Sequence, residues 1–221
     1  MDGFTSAEEH RAQCIEALGE KAGRWFDEIH QRVVWTSGVW TQHQQLFQKD
    51  RKTSLLLERN AGLFFHIVYE ELWDSTLLWI CKLLDEAKDS VGNRNLTLGT
   101  LVNSVSNPDL KSELDRRFED LKVQSEIIRK QRRKRIAHLD RPYALKEERE
   151  LRELVVAEQV NAVLGGMYEF LEIFRDNHGM ARYGYAAMHW SDGADDLVKI
   201  LWQVEQERWA HLEELGITPP Q

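Results

Sequence analysis

The sequence predicts an all-α fold, a single bundle of five or six helices, and three observations carry that expectation. Apolar residues recur at steps of three and four in every long segment, which is the period of a helix with one buried face. Only 4 prolines occur, two of them in the tail at Pro219 and Pro220, while Leu, Glu, Lys, Arg and Ala are abundant. No stretch alternates apolar and polar residues as a half-buried strand would. With 221 residues, 42% of them hydrophobic and 10% aromatic, the chain has enough apolar material for a sizeable core. No repeat or linker divides it, so residues 1–221 are expected to form one domain.

The elements follow in order. Ser6 and Glu9 have the spacing of a capping box, and the helix they open runs to about Arg32 with Ile15, Leu18, Ala22, Trp25, Phe26 and Ile29 inward. Val33 to Phe47 continues it past a weak point at Ser37-Gly38, with Trp35, Trp40 and Phe47 packed inward. Leu55 to about Ala87 reads as a central helix, apolar on most sides and buried, with His66 as a satisfied core histidine. Asp89 to Asn95 is loop by composition, and Thr97 to Val105 is a short helix.

Asn107-Pro108-Asp109 gives a strong helix start: a capping Asn, Pro at the first position and an acid in the first turn. From there Leu110, Leu114, Phe118, Leu121 and Ile128 form a narrow stripe, and Pro142 ends the helix after roughly thirty residues, about 45 Å. Lys146 to about Phe174 repeats the helical pattern. The stretch from Asp176 to Trp190 is expected to be an ordered loop or lid. A last helix starts at Ser191-Asp192-Gly193 and stops at Gly216.

The formal net charge of -8, from 29 Lys and Arg against 37 Asp and Glu, excludes a general DNA-coating role. Met1 to Thr5 lacks the features of a signal peptide, and no apolar run approaches the roughly 18 residues of a membrane span. Cys14 and Cys81 are a distant pair without metal spacing, read as free buried thiols in a reducing cytoplasm. His178 and His189 have no carboxylate or histidine at helical ligand spacing, so no metal is expected there. No membrane contact and no cofactor is expected.

Against this acidic background stands Arg129-Lys130-Gln131-Arg132-Arg133-Lys134-Arg135-Ile136-Ala137-His138-Leu139-Asp140, whose first seven residues include six cations. A concentrated positive field beside a titratable imidazole suits a polyanion. His138 falls in the last turn of its helix. The helix dipole there favours the imidazolium, while the neighbouring cations favour the neutral ring, which suits acid–base work near neutrality. Asp140 is placed to orient the ring or cap the helix. Arg129, Lys130, Arg132, Lys134 and Arg135 are the candidate RNA contacts.

An arginine a few residues before a histidine is weak by itself, because Arg24…His30, Arg59…His66 and Arg182…His189 also match with four to six residues between. Context distinguishes Arg133…His138: a well-signalled helix, a basic run, and termination within four residues. On an ideal α-helix a spacing of five leaves the two residues about 140° apart, so face alone favours Lys134 or Arg135 as neighbours of His138.

This segment resembles the motif of HEPN domains, and especially those of the bacterial abortive-infection U type. Tyr69-Glu70-Glu71-Leu72-Trp73-Asp74-Ser75, Leu83-Leu84-Asp85 and Asn95-Leu96-Thr97-Leu98 extend the resemblance. It covers a HEPN-like core at about 55–200, preceded by an N-terminal helical extension at about 5–47. The resemblance implies an α-helical homodimer and, in active members, a metal-independent endoribonuclease of phage defence or toxin–antitoxin type. Its site is composite, with Arg133 as the motif arginine and His138 as the motif histidine. An inhibitor or cognate antitoxin protein is an implied partner. The alternative is a HEPN-like module that binds RNA or protein without cutting, acting as adaptor or antitoxin. Lys134 stands where the family often has Asn, Asp or His. Asp140 stands where one branch carries the tyrosine modified to silence it.

Overall fold

The structure is a computed structural model that describes residues 6–88, 90–136, 155–183 and 193–216. Among them it is helical: α1 (Ala7–Leu18), α2 (Glu20–Phe47), α3 (Arg51–Leu83), α4 (Leu98–Val102), α5 (Pro108–Gln124), α6 (Glu126–Gln131), a π-helical turn (Arg132–Ile136), α7 (Ala157–Asn177) and α8 (Ala194–Glu214). The one β feature among the described residues is an isolated antiparallel bridge between Lys88 and Arg94. Among the described residues eight α-helical segments stand where five or six were expected, and breaks at Gly19 and Ser125 divide two of the expected helices.

The first break corrects the expected weak point. Helix α2 runs unbroken through Ser37 and Gly38. The chain instead turns at Gly19, at φ 79° and ψ 163°, a backbone setting that suits glycine. Four residues on, α1 and α2 touch at Gly23, where an added Cβ would lie 2.5 Å from the Cys14 carbonyl oxygen. The capping box at the start of α1 is as expected: Ser6 Oγ accepts from Glu9 N, and Glu9 Oε2 accepts from Ser6 N.

Two compact units emerge, Met1–Ser37 with Asp74–Ala187, and Gly38–Trp73 with Met188–Gln221. In the first, Phe26, Ile29, Leu77, Ile80, Leu84, Leu114, Ile128, Met167, Phe170 and Phe174 form a fully buried core. The stripe Leu110, Leu114, Phe118, Leu121 and Ile128 is buried as the spacing predicts. Asn107 Oδ1 caps α5 by accepting from Asp109 N and Leu110 N. Helix α7 packs on α5, and Gly166 admits the close approach, since a Cβ there would meet Leu121 Cδ2 at 2.7 Å. The expected thirty-residue helix is interrupted at Ser125, which is buried and whose hydroxyl turns back to donate to the Lys122 carbonyl at 3.1 Å.

In the second unit, Leu46, Leu56, Leu57, Phe65, Ala194 and Val198 are the buried core. Gln42 Oε1 accepts from Ala194 N at 2.6 Å, so a side chain of α2 satisfies a first-turn N–H of α8. Helix α3 departs from the expectation of all-round burial. It bends at Ala61 (φ -159°, ψ 59°), beside Asn60, whose side-chain amide takes the Leu56 carbonyl at 2.9 Å. Beyond the bend Leu63 is 76% and Phe64 59% exposed, and Ile67 and His66 are also exposed, so His66 is not a core histidine. Trp35 is likewise outward at 56%, whereas Trp40 is buried and Phe47 half-buried. No helix among the described residues is long and apolar enough to cross a membrane.

Candidate nucleic-acid interface

The basic run begins where the buried stripe of α5 and α6 ends. Ile128 and Gln131 are buried, and the described cations between and after them are half-buried except Arg133, which is exposed. Arg129 reaches back to Asp85, at the end of α3, at 3.7 Å. Lys122, two turns earlier on α5, pairs with Glu86 at 2.7 Å and Glu119 at 3.0 Å. These pairs fasten the basic helix to the turn after α3. Behind the run lies Cys81, whose thiol burial pushes up to about 11, with the Arg132, Arg129 and Arg133 guanidinium groups pulling the other way. The arginines are therefore close enough to act on a buried thiol without making it a thiolate.

From Arg132 to Ile136 the helix takes π form, with hydrogen bonds from residue i to i+5. Such turns occur mostly as short insertions and often at functional sites. Of the five cations in the run with described side chains, Arg129, Lys130, Arg132 and Lys134 are half-buried and Arg133 alone is exposed. Arg133 has no ion-pair partner among the described residues. The arginines of the three competing matches are all engaged: Arg24 with Glu20 at 2.5 Å, Arg59 with Glu205 at 3.7 Å, and Arg182 with Asp176 at 2.6 Å. His138, Asp140 and the Arg135 side chain lie outside the described residues, as do the last part of the expected loop (184–190) and its His189.

A second polar constellation escaped the sequence reading. His10, Asp27, His30 and Arg175 are buried together with Cys14 in the first unit. His10 Nδ1 faces Asp27 Oδ1 at 2.8 Å, Arg11 Nε donates to Asp27 Oδ2 at 2.8 Å, and Gln31 Nε2 donates to both carboxylate oxygens at 3.0 Å. Arg175 donates from Nη2 to His10 Nε2 at 2.5 Å and from Nη1 to the Ala181 carbonyl at 2.7 Å. His10 and His30 stack at 4.2 Å, and Tyr183 stands edge-on to both.

His10, Cys14 and Asp27 place their ligand-type atoms within 4.8 Å of one another, yet the set does not fit a metal. Arg175 takes the lone pair of His10 Nε2, three donors already share the Asp27 carboxylate, and burial pushes the Cys14 thiol up to about 11. It is a hydrogen-bonded core that ties α1, α2 and α7 together. Partners 17 and 165 residues apart leave no local spacing from which to find it.

The first unit also has an open cavity of about 370 Å³ between Trp25 and the turn that follows α3. In the second, an apolar cavity of about 320 Å³ lies at the bend in α3, lined by Phe47, Leu57, Phe65, His66 and Tyr69.

In comparison with known proteins, the HEPN-type family model described as AbiU2 matches residues 19–172. No curated protein and no solved structure matches.

Proposed function

We infer the function from this premise: the chain belongs to the HEPN family described as AbiU2. HEPN domains are often ribonucleases, and a role with RNA in abortive infection accords with that membership. The finer reading is a metal-independent endoribonuclease whose composite site is completed by a second copy of the chain. In this reading residues 1–221 work as one domain in the cytoplasm, with the HEPN-like core at about 55–200.

Arg133 carries the reading. Among the cations of the basic run whose side chains are described it is the exposed one, it has no ion-pair partner among the described residues, and it sits in a π turn. The choice of Arg133 over Lys134 and Arg135 as the motif arginine rests on its exposure and on the resemblance of the run to the HEPN motif.

The chemistry follows from these groups. A neutral His138 takes the proton of a ribose 2′-hydroxyl, which attacks the adjacent phosphorus. The 5′-oxygen leaves with a proton from the imidazolium of the partner copy, giving a 2′,3′-cyclic phosphate and a 5′-hydroxyl end. The Arg133 fork stabilises the charge that grows on the phosphorane oxygens, and Asp140 orients the imidazole. Arg129, Lys130, Arg132, Lys134 and Arg135 hold the flanking phosphates. No step in this route requires a metal.

The deciding experiment is incubation of the purified chain with total RNA in EDTA beside His138→Ala. Fragments with cyclic-phosphate ends are expected from the first and not from the second. Salt-sensitive RNA binding with no fragments would instead identify a binding module.

A further inference from the structure

The turn after α3 is built as a small, braced loop. Asn95 N donates to the Ala87 carbonyl at 2.9 Å and Asn95 Nδ2 to the Glu86 carbonyl at 3.0 Å, so one residue closes the loop twice. Lys88 and Arg94 face each other across the antiparallel bridge inside it. Thr100 Oγ1 donates to the Asn95 carbonyl at 2.7 Å and ties the loop to α4. Between this loop and α2 lies the cavity of about 370 Å³, lined by Trp25, Lys88, Arg94, Asn95, Thr100 and Asn103 among others.

The lining has three chemistries. Trp25 supplies a half-buried aromatic face, with Lys21 Nζ 4.8 Å from its ring centroid. Lys88 and Arg94 are exposed cations with no ion-pair partner among the described residues. Asn95 and Asn103 supply amides, and Thr100 a hydroxyl. The described acids on the preceding turn are already engaged, Asp85 with Arg129 and Glu86 with Lys122, so they do not offset Lys88 and Arg94.

A purely apolar ligand would leave two cations unmatched, and a bare phosphate would make no use of the indole. A nucleotide uses all three: the base stacks on the ring, the phosphate takes the cations, and the base edge meets the amides. The volume lies within the range of about 300–1,000 Å³ usual for small-molecule sites. The same turn is bonded to the helices that carry the basic run, so cavity and run belong to one scaffold.

We propose that this cavity holds one unpaired nucleotide of an RNA strand, its base on Trp25 and its phosphate between Lys88 and Arg94. The proposal rests on the RNA reading for the source of the nucleotide, and it is independent of cleavage.

The test uses the full chain and a labelled, cleavage-resistant 2′-O-methyl RNA strand, with affinity followed by fluorescence anisotropy from low to high salt. Lys88 and Arg94 are exposed, so Lys88→Gln with Arg94→Gln leaves the fold intact. This pair is expected to weaken binding about tenfold and to lower the log–log salt slope by about 0.7, the value for one single-strand phosphate no longer neutralised. Trp25→Ala is expected to cost about 5- to 150-fold and Trp25→Phe far less, because a stacking face survives. Competition by adenosine monophosphate in the parent and not in the double variant would identify a free nucleotide as sufficient. Loss of strand binding without such competition would identify the strand. Parent-like affinity and salt slope in both the double variant and Trp25→Ala, while Arg133→Gln weakens binding, would overturn the pocket and leave the RNA reading standing. No strand binding by the parent chain would overturn both.

Discussion

Arg175 fixes the tautomer of His10. Arginine only donates, so the 2.5 Å hydrogen bond from Arg175 Nη2 makes His10 Nε2 an acceptor and leaves the ring proton on Nδ1, facing Asp27 Oδ1 at 2.8 Å. His10 is thereby neutral in the fold. Burial lowers its pKa, with Arg175 adding to the effect and Asp27 opposing it. Burial is also the leading cause of the lowered pKa of His30, and it takes His43 to about 4.

These histidines predict acid lability with a definite sign. Each is held neutral in the fold but takes a proton in the unfolded chain near pH 6.5, so stability is complete above that pH and falls as pH drops below it. For His43 the loss runs from about pH 6.5 to about 4, amounting to about 2 kcal/mol between pH 6.5 and 5. The Asp27 carboxyl is lowered from 3.8, so its contribution is lost only below this window. His43→Phe keeps a ring beside Trp40, now stacked at 5.0 Å. Urea midpoints at pH 7.5 and 5 are expected to differ less in this variant than in the parent chain.

Two glycines rank by what their missing Cβ would strike. At Gly23 it meets backbone, the Cys14 carbonyl oxygen and Ile15 Cα, both at 2.5 Å. At Gly166 it meets the movable end of Leu121 at 2.7 Å. Gly166→Ala is expected to cost about 1 kcal/mol and Gly23→Ala about 3 kcal/mol or more. Equal thermal shifts in the two variants would contradict the close crossing of α1 and α2.

Within the basic run, Arg133 and Arg129 are expected to separate. Arg133→Gln removes an exposed fork and is expected to lower cleavage by about 10²–10³-fold with no change in melting temperature. Arg129→Gln breaks a partly exposed pair with Asp85 and is expected to change stability by under about 1 kcal/mol. Its cleavage rate should fall less. If the two variants lose cleavage equally, Arg133 holds no special role.

The composite site of the proposed function requires a dimer, and the second unit has apolar stripes open to receive one. Leu63, Phe64 and Ile67 on α3 and Leu197, Ile200 and Val204 on α8 are all exposed. Phe64→Glu with Ile200→Glu is expected to shift the chain from dimer to monomer in sedimentation and to abolish cleavage with it. A dimer that persists unchanged would place the contact elsewhere.

Much of the fold was legible because its signals are local. Ser6 with Glu9, Asn107 with Pro108, and the stripe from Leu110 to Ile128 all act within a few residues, and all behave as their spacing says. The misses have non-local causes. Gly19 matters because α1 must fold back onto Gly23, whereas Ser37-Gly38, a weaker pair by propensity, sits inside α2 where packing overrides it. Periodicity counted Leu63, Phe64 and Trp35 as apolar without revealing that no described element covers them. The π turn has no residue signature at all, and the His10 cluster is assembled from three helices. The basic run itself was plain, but which of its cations faces outward emerged only from the bracing of Arg129 by Asp85.

The two thiols, Cys14 in the crossing of α1 and α2 and Cys81 beneath the basic run, are each a built-in clock. Both are buried and held protonated, each with its pKa pushed up to about 11, so neither reacts while its surroundings stay closed. The rate at which a thiol reagent consumes each one therefore reads how often that part of the molecule opens. With no third cysteine in the sequence, the two rates can be followed separately in Cys14→Ala and Cys81→Ala. RNA bound along the basic run would slow the Cys81 clock and leave the Cys14 clock running at its own pace.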